Sequence, residues 1–311
     1  MRARYLIWGM LCCVLLQLRP FRSRSSELMP YPRHRLTYGL MAAGRYNAVG
    51  ALLEPELRYR FRLHDSAAPL KREAHLGIAL APSFTPYVSR VGALLIVKPF
   101  AVLELEAGYF FNGWYGTLGH VQSFEHVEDE HYISDKPGEA KGPHESTIGH
   151  EVYLRLRLLA ALGPFAFSNA TSGIYTSQSL RGDAPLYYHA VLDILAPNNG
   201  WLLANDSDLV FISPFGLIVG VRFSAIHAFF RDEHFLDGKK HDNKATPILS
   251  FGPLATYTFY DHPESLLNKP TIIVMIQWWL RHPYRAGEEM GRQVPSIGLA
   301  FRMEGDLWSR D

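Results

Sequence analysis

Residues 56–63 read ELRYRFRL. Leu57, Tyr59, Phe61 and Leu63 alternate with Glu56, Arg58, Arg60 and Arg62. Alternate residues of a strand point to opposite sides. This stretch therefore has one apolar face and one face carrying three arginines and a glutamate. A half-buried strand of a soluble sheet has the same period, with its charges in water. The fold class turns on which medium the apolar face meets.

The period recurs on both sides of that stretch, in segments of about ten residues separated by turn residues, the weak repeated signature of a membrane-spanning barrel. Residues 35–46 set Leu36, Tyr38, Leu40 and Ala42 on one face, and residues 74–82 do the same with Leu76, Ile78 and Leu80. Residues 88–98 read as apolar on both faces. Residues 101–111 oppose Leu103, Leu105, Ala107 and Tyr109 to Glu104, Glu106 and Gly108, and residues 150–163 oppose Val152, Leu154, Leu156 and Leu158 to Glu151, Tyr153, Arg155 and Arg157. Further strands are expected over 165–176, 207–213, 217–229, 247–260, 271–282 and 296–304. No useful length of helical period follows the first residues. Residues 177–205, with RGDAP and PNNG around LYYHAVLDIL, resist the pattern. If they form an elaborated outer loop, the count is 12 strands; if they supply two more strands, it is 14. Connections near 98–100, 163–165 and 213–216 are short, whereas 112–147, 230–245 and 283–294 are long and polar. Short turns at one end and long loops at the other fit a barrel.

The chain has 311 residues, a net charge of +1 and 13% aromatics. Near-neutral charge gives no reason to expect nucleic acid. A mean hydropathy of −0.05 excludes a polytopic helical membrane protein. Arg2 and Arg4 precede the apolar run LIWGMLCCVLL at 6–16. That run is too short for a bilayer-spanning helix, which needs about 20 residues, and it follows the secretory pattern. We expect a signal peptide over 1–27 and a single barrel domain over 28–311. Cys12 and Cys13, the only cysteines, lie in that first segment. The mature chain is thus expected to lack disulfides and cysteine-ligated metal.

Residues 296–303 read SIGLAFRM. They resemble the C-terminal assembly signal of bacterial outer-membrane β-barrel proteins, which runs polar, any, Gly, any, any, aromatic, any, hydrophobic. Ser296, Gly298, Phe301 and Met303 take the four defined positions. The family signal usually ends at or near the C-terminus, whereas here EGDLWSRD follows. The resemblance implies an all-β, antiparallel transmembrane β-barrel in the bacterial outer membrane, with short periplasmic turns. Its implied partners are outer-membrane lipids and the barrel assembly machinery. A soluble, secreted β-sandwich binding protein is the competing fold.

In the barrel reading the sheet must close, because backbone groups in lipid have to pair internally. The apolar face of ELRYRFRL would meet lipid. Glu56, Arg58, Arg60, Arg62, Glu104, Glu106, Arg155 and Arg157 would line the lumen. Tyr38, Tyr59, Tyr109, Tyr257 and Trp278 are candidates for interfacial girdles. A charged lumen suits a passive, porin-like channel, in which fixed charge selects solutes, or a structural barrel filled by its own ion pairs. The alternative activity is a barrel-embedded lipid hydrolase. Ser224 and His227 are three apart, however, and fall on opposite faces of a strand. Ser250 and His150 show no third partner, and no G-x-S-x-G motif occurs. His120, His126, His131 and nearby acids match no compact metal spacing. No catalytic residue, metal ligand or cofactor is assigned.

Overall fold

A backbone surrounded by lipid has to find every hydrogen-bond partner within the protein, so a sheet with an apolar outside must join its own edges. A computed structural model describes residues 31–47, 49–116, 123–128, 145–236, 246–262, 267–282 and 294–311. Twelve strands form the wall: β1 His34–Tyr46, β2 Gly50–Arg62, β3 His75–Leu80, β4 Val88–Phe100, β5 Leu103–Trp114, β6 Thr147–Leu162, β7 Phe165–Gln178, β8 Gly200–Ile212, β9 Leu217–Ala228, β10 Ile248–Thr258, β11 Thr271–Arg281 and β12 Ser296–Arg310. Each pairs antiparallel with the next. β12 pairs with β1 from Tyr46↔Ile297 to His34↔Arg310, which closes the barrel. The short piece Ser83–Phe84 carries the third strand onward and touches both β2 and β4. Pro82 separates the two pieces, as expected of a residue with no N–H to give to a ladder.

The outside is apolar and the inside is not. Leu57 is 40% exposed, Leu154 47% and Phe301 43%, while Arg58, Arg155 and Arg302 on the opposite parity are buried. A closed antiparallel barrel with such a belt is an outer-membrane architecture, and the protein is read as a bacterial outer-membrane barrel. β12 does not stop at Met303: Glu304, Gly305 and Asp306 continue to pair with Gly39, Tyr38 and Thr37.

Of the two strand counts, the structure has the twelve-stranded one. Residues 177–205 contain the end of β7, the start of β8 and an inner hairpin, not two further wall strands. The reading of 88–98 as apolar on both faces is corrected, because Arg90 and Lys98 are buried on the inside. Tyr38 also departs from the girdle. It lies against Gly305, where an added Cβ would meet its ring at 2.7 Å, and it lines an inner cavity.

Short turns join the strands at the inner end, where His34 and Arg310 lie. Gly163 and Gly216 take left-handed φ of 58° and 87° there, a conformation that favours glycine. The alternation of loop lengths is imperfect. The connection between β2 and β3 at this inner end is long, and the one between β1 and β2 at the outer end is short. Residues 1–30, most of 112–147 and most of 283–294 lie outside the described residues. Among the described residues, no helix is long and apolar enough to cross a membrane.

Candidate functional site

The lumen collects the charged parity of the strands. On the wall formed by β2 to β7, register sets Glu104 opposite Arg157 and Glu106 opposite Arg155. Arg157 reaches Glu104 at 3.0 Å, and Arg155 pairs with Glu106. Arg58 donates to Glu56 at 2.8 Å. One layer outward, Tyr153 meets Ser172 at 3.1 Å and the Arg155 guanidinium covers its ring. Above that, Arg90 pairs with Glu151, which also accepts from Asn112 at 3.0 Å. The facing wall is sparser. There Arg222 donates to both oxygens of Asp208, at 2.7 and 2.8 Å, with Asp206 3.9 Å away. A small cavity of about 20 Å³ lies beside this group, lined by Ser224, Ser250 and Gln277 among others.

A side chain lining a water-filled bore is wetted. Arg90 is 1% exposed, Arg157 2% and Arg222 1%. At the levels they occupy the lumen is filled by protein, and each charge there has a carboxylate partner, as buried charge requires.

The outer mouth is sealed by a hairpin of strands Leu186–His189 and Ile194–Pro197, joined on its free edge by Ser123–Phe124. Every residue from Leu186 to Pro197 is buried. Tyr187 and His189 pack edge-on against Trp114 of β5, with centroids at 6.2 and 5.4 Å. His189 Nε2 lies 3.8 Å from Glu151. At the tip, Asp193 accepts from Tyr188 at 2.6 Å and lies 3.2 Å from His282, just past β11. The hairpin therefore spans the mouth from β5 and β6 to β11. Burial pushes the His189 imidazole below the usual histidine range, against the opposing pull of Glu151.

The inner end is open and charged. A cavity of about 220 Å³ lies among β1, β2, β12 and the loops before β3 and β11. Its lining includes Arg35, Arg60, Arg62, Arg72, Lys269 and Arg302, with Glu56, Glu73, Asp261, Glu304 and Asp306 interspersed. Arg35 grips Asp306 with bonds of 2.7 and 2.8 Å. Glu304 receives Lys269 at 3.1 Å and Arg302 at 2.8 Å. The guanidinium groups of Arg35 and Arg72 lie 4.7 and 4.9 Å from the Tyr31 ring centre.

Of the residues singled out in the sequence, Glu104, Glu106, Arg155 and Arg157 meet in one ladder, Glu56 and Arg58 form a neighbouring pair, and Arg60 and Arg62 lie at the inner cavity. At the chain end, Ser296 and Gly298 turn inward, while Phe301 is exposed on the apolar side. Sequence reasoning passed over Arg90, Glu151, Asp206, Asp208 and Arg222. Glu151 shares its parity with Arg155 and Arg157, which was the available signal; Arg90 was masked by its apolar neighbours. Ser224 faces Gln277 inside, whereas His227 bonds Thr246 and packs on Phe229. Ser250 is buried inside, and His150 sits outside against Tyr109 at 2.6 Å. Neither pair comes together. His126, Glu125 and Glu128 are described, but His120, His131, Asp129 and Glu130 lie outside the described residues. Among the described residues no group of three His, Cys, Asp or Glu side chains is placed to hold a metal.

No family profile and no curated protein sequence matches the chain. Solved structures do. The KdgM porin is 8% identical, with a TM-score of 0.39 over 85% of this chain and 98% of that one. The translocator domain of the autotransporter NalP from Neisseria meningitidis is 9% identical, with a TM-score of 0.40 over 98% of each chain. The COG4313 outer membrane channel from Pseudomonas putida F1 is 10% identical, with a TM-score of 0.37 over 91% of this chain and all of that one. At such scores none of them says what this chain carries or binds.

Proposed function

We propose that this protein is a passive, narrow outer-membrane channel, closed in the state described, that favours small anions when it opens. The supporting observation is the sign of the inner vestibule and of the wall above it. Six cationic side chains line the cavity at the inner end against five carboxylates, and above it the buried Arg58, Arg90, Lys98, Arg155, Arg157 and Arg222 face Glu104, Glu106, Glu151, Asp206 and Asp208, again one cation in excess. Fixed lumen charge sets the barrier to an ion. In the same reading, residues 1–27 are a cleaved signal, and Ser296, Gly298, Phe301 and Met303 are what the assembly machinery recognises. A second reading, a structural barrel with no transport role, is favoured by the near-complete burial of Arg90, Arg157 and Arg222.

One experiment separates the two. Protein refolded into a planar bilayer under a KCl gradient should show openings whose reversal potential lies toward the chloride equilibrium potential. Cation-selective current would remove the anion preference. No current under any voltage, even with the outer hairpin excised, would leave the structural barrel.

A further inference from the structure

Among the described residues, the lipid-facing side of the barrel is apolar across the middle of the belt except on β7 and β8. Asn169 and Thr171 of β7, and Asn205 and Ser207 of β8, have the outward parity of Phe167 and Leu209, and all four are half-buried. They bond to one another. Asn169 Nδ2 donates to Ser207 Oγ at 2.8 Å and to Asn205 Oδ1 at 3.3 Å. Thr171 donates to Asn169 Oδ1 at 3.2 Å. Asn205 Nδ2 donates to Thr171 Oγ1 at 2.8 Å, and Ser207 donates to Asn205 Oδ1 at 3.3 Å.

The island lies deep in the belt. Toward the inner end it is followed by the edge-on pair Phe165–Phe211, with centroids at 5.7 Å. Toward the outer end it is followed by Tyr175–Trp201, at 5.5 Å. Such aromatic pairs mark the two interfaces of a barrel. The ten-residue interval between Trp201 and Phe211, at about 3.3 Å per residue and a tilt of about 40°, covers about 25 Å, the height of the apolar band. Asn205 and Ser207 fall in its middle. On the flanking strands, Leu156 and Leu158 of β6 stand opposite Thr171 and Asn169, and Ala225 and Phe223 of β9 stand opposite Asn205 and Ser207.

Polar groups at mid-bilayer are costly where an apolar side chain would serve. The internal ring of bonds lowers that cost but does not exhaust the side chains. A primary amide has two donor hydrogens and two acceptor sites, so Asn205 keeps one N–H and Asn169 one acceptor site outside the ring. The group is uncharged and offers donors and acceptors together. Acyl chains cannot answer them, and headgroups lie at the interfaces. A second copy of the same patch, related by a twofold axis, answers each donor with an acceptor, because such an interface is self-complementary. The patch is also low. Gly173 adjoins it, and a Cβ placed there would meet only the Trp201 ring, at 3.5 Å. Small residues allow close approach between membrane segments.

We propose that this island is the contact face of a homodimer within the membrane, with Asn169 and Asn205 bonding across the axis. The test uses the full chain in liposomes, labelled for energy transfer between copies and diluted with lipid. The native protein should associate, and the variant N169L/T171V/N205L/S207A should dissociate at least about tenfold more readily while keeping its unboiled gel mobility. Should that variant fail to fold, Gly173→Cys, with Cys12 and Cys13 replaced by Ser, decides the matter. Oxidation should cross-link two copies through residue 173, and not through Leu299→Cys on β12. A native protein that stays monomeric at every lipid ratio would overturn the proposal. Equal association of the folded apolar variant, or equal cross-linking from both cysteine positions, would do the same.

Discussion

The two ends of the lumen close, or fail to close, by different chemistry. At the outer end a hairpin is buried from Leu186 to Pro197 and packs on Trp114, with two histidine–carboxylate contacts at its edges. At the inner end a cavity of about 220 Å³ is lined by alternating cations and carboxylates that keep contact with solvent. The outer end behaves as a small protein core inserted into a barrel, where apolar burial does the sealing. The inner end is a charged vestibule, and between the two lie ion pairs with almost no solvent contact. A solute arriving from the inner end meets fixed charge first and packed protein second; one arriving from outside meets the packed hairpin at once.

Removing the hairpin should break this asymmetry most completely. Replacing residues 182–197 with a short Gly-Ser link is expected to make the discrete openings of the native protein more frequent and larger in conductance. Openings of unchanged frequency and size would mean that the ion-pair layer, not the hairpin, sets the seal. Breaking that layer should cost stability. Glu106→Ala leaves Arg155 buried without its carboxylate, a change worth about 3–5 kcal/mol. The midpoint of denaturant-induced unfolding should fall accordingly, and a shift within error would show that water or another carboxylate already solvates Arg155.

The hairpin should also respond to acid. Burial holds the seated His189 imidazole below the usual histidine range, while an unseated histidine takes a proton near 6.5. The unseated state therefore binds more protons just below that value. The seat weakens as pH falls below about 6.5, until the seated imidazole is itself protonated. Glu151 and Arg90 on one side, and the Asp193–His282 contact on the other, surround the same hairpin. Single-channel opening should increase across that window, and His189→Ala should flatten the dependence; an unaltered profile in His189→Ala would assign the effect to those neighbours. The smallest effect belongs at the rim. Arg231 and Glu233 pair at 2.9 Å with side chains 59% and 65% exposed. Arg231→Ala, which also removes a 3.0 Å bond to the Asn199 carbonyl, should move the unfolding free energy by no more than about 1 kcal/mol, measured by the same denaturant midpoint.

Parity made the wall legible before any coordinates. Leu57, Tyr59 and Phe61 share one side of β2, and a period of two leaves Arg58, Arg60 and Arg62 no other side but the opposite one. Parity cannot state register. That Glu104 stands across from Arg157 and Glu106 from Arg155 depends on where the tight turn after Phe100 starts the hairpin. The hairpin at 186–197 was illegible for a different reason. Its strands are four residues long and buried on both faces, so they carry no alternation, and their partners Trp114, Glu151 and His282 are distant in sequence. Arg90 and Lys98 were hidden because Leu94 and Ile96 share their inward side, which made the segment read as apolar throughout. The polar island on β7 and β8 weakened the apolar alternation of 165–176, and that weakness was the trace of a departure from the rule at the middle of the belt.

The asymmetry of the lumen is tested most directly by chemical access from one side at a time. A single cysteine at Gly39, which lines the inner cavity and has room for a side chain there, would be placed in a chain with Cys12 and Cys13 changed to Ser. The protein would be inserted in one orientation into liposomes and exposed to a small charged thiol reagent. Reaction is expected only with the reagent on the side that holds His34 and Arg310. Equal reaction from both sides would contradict a lumen closed by its hairpin and its ion pairs.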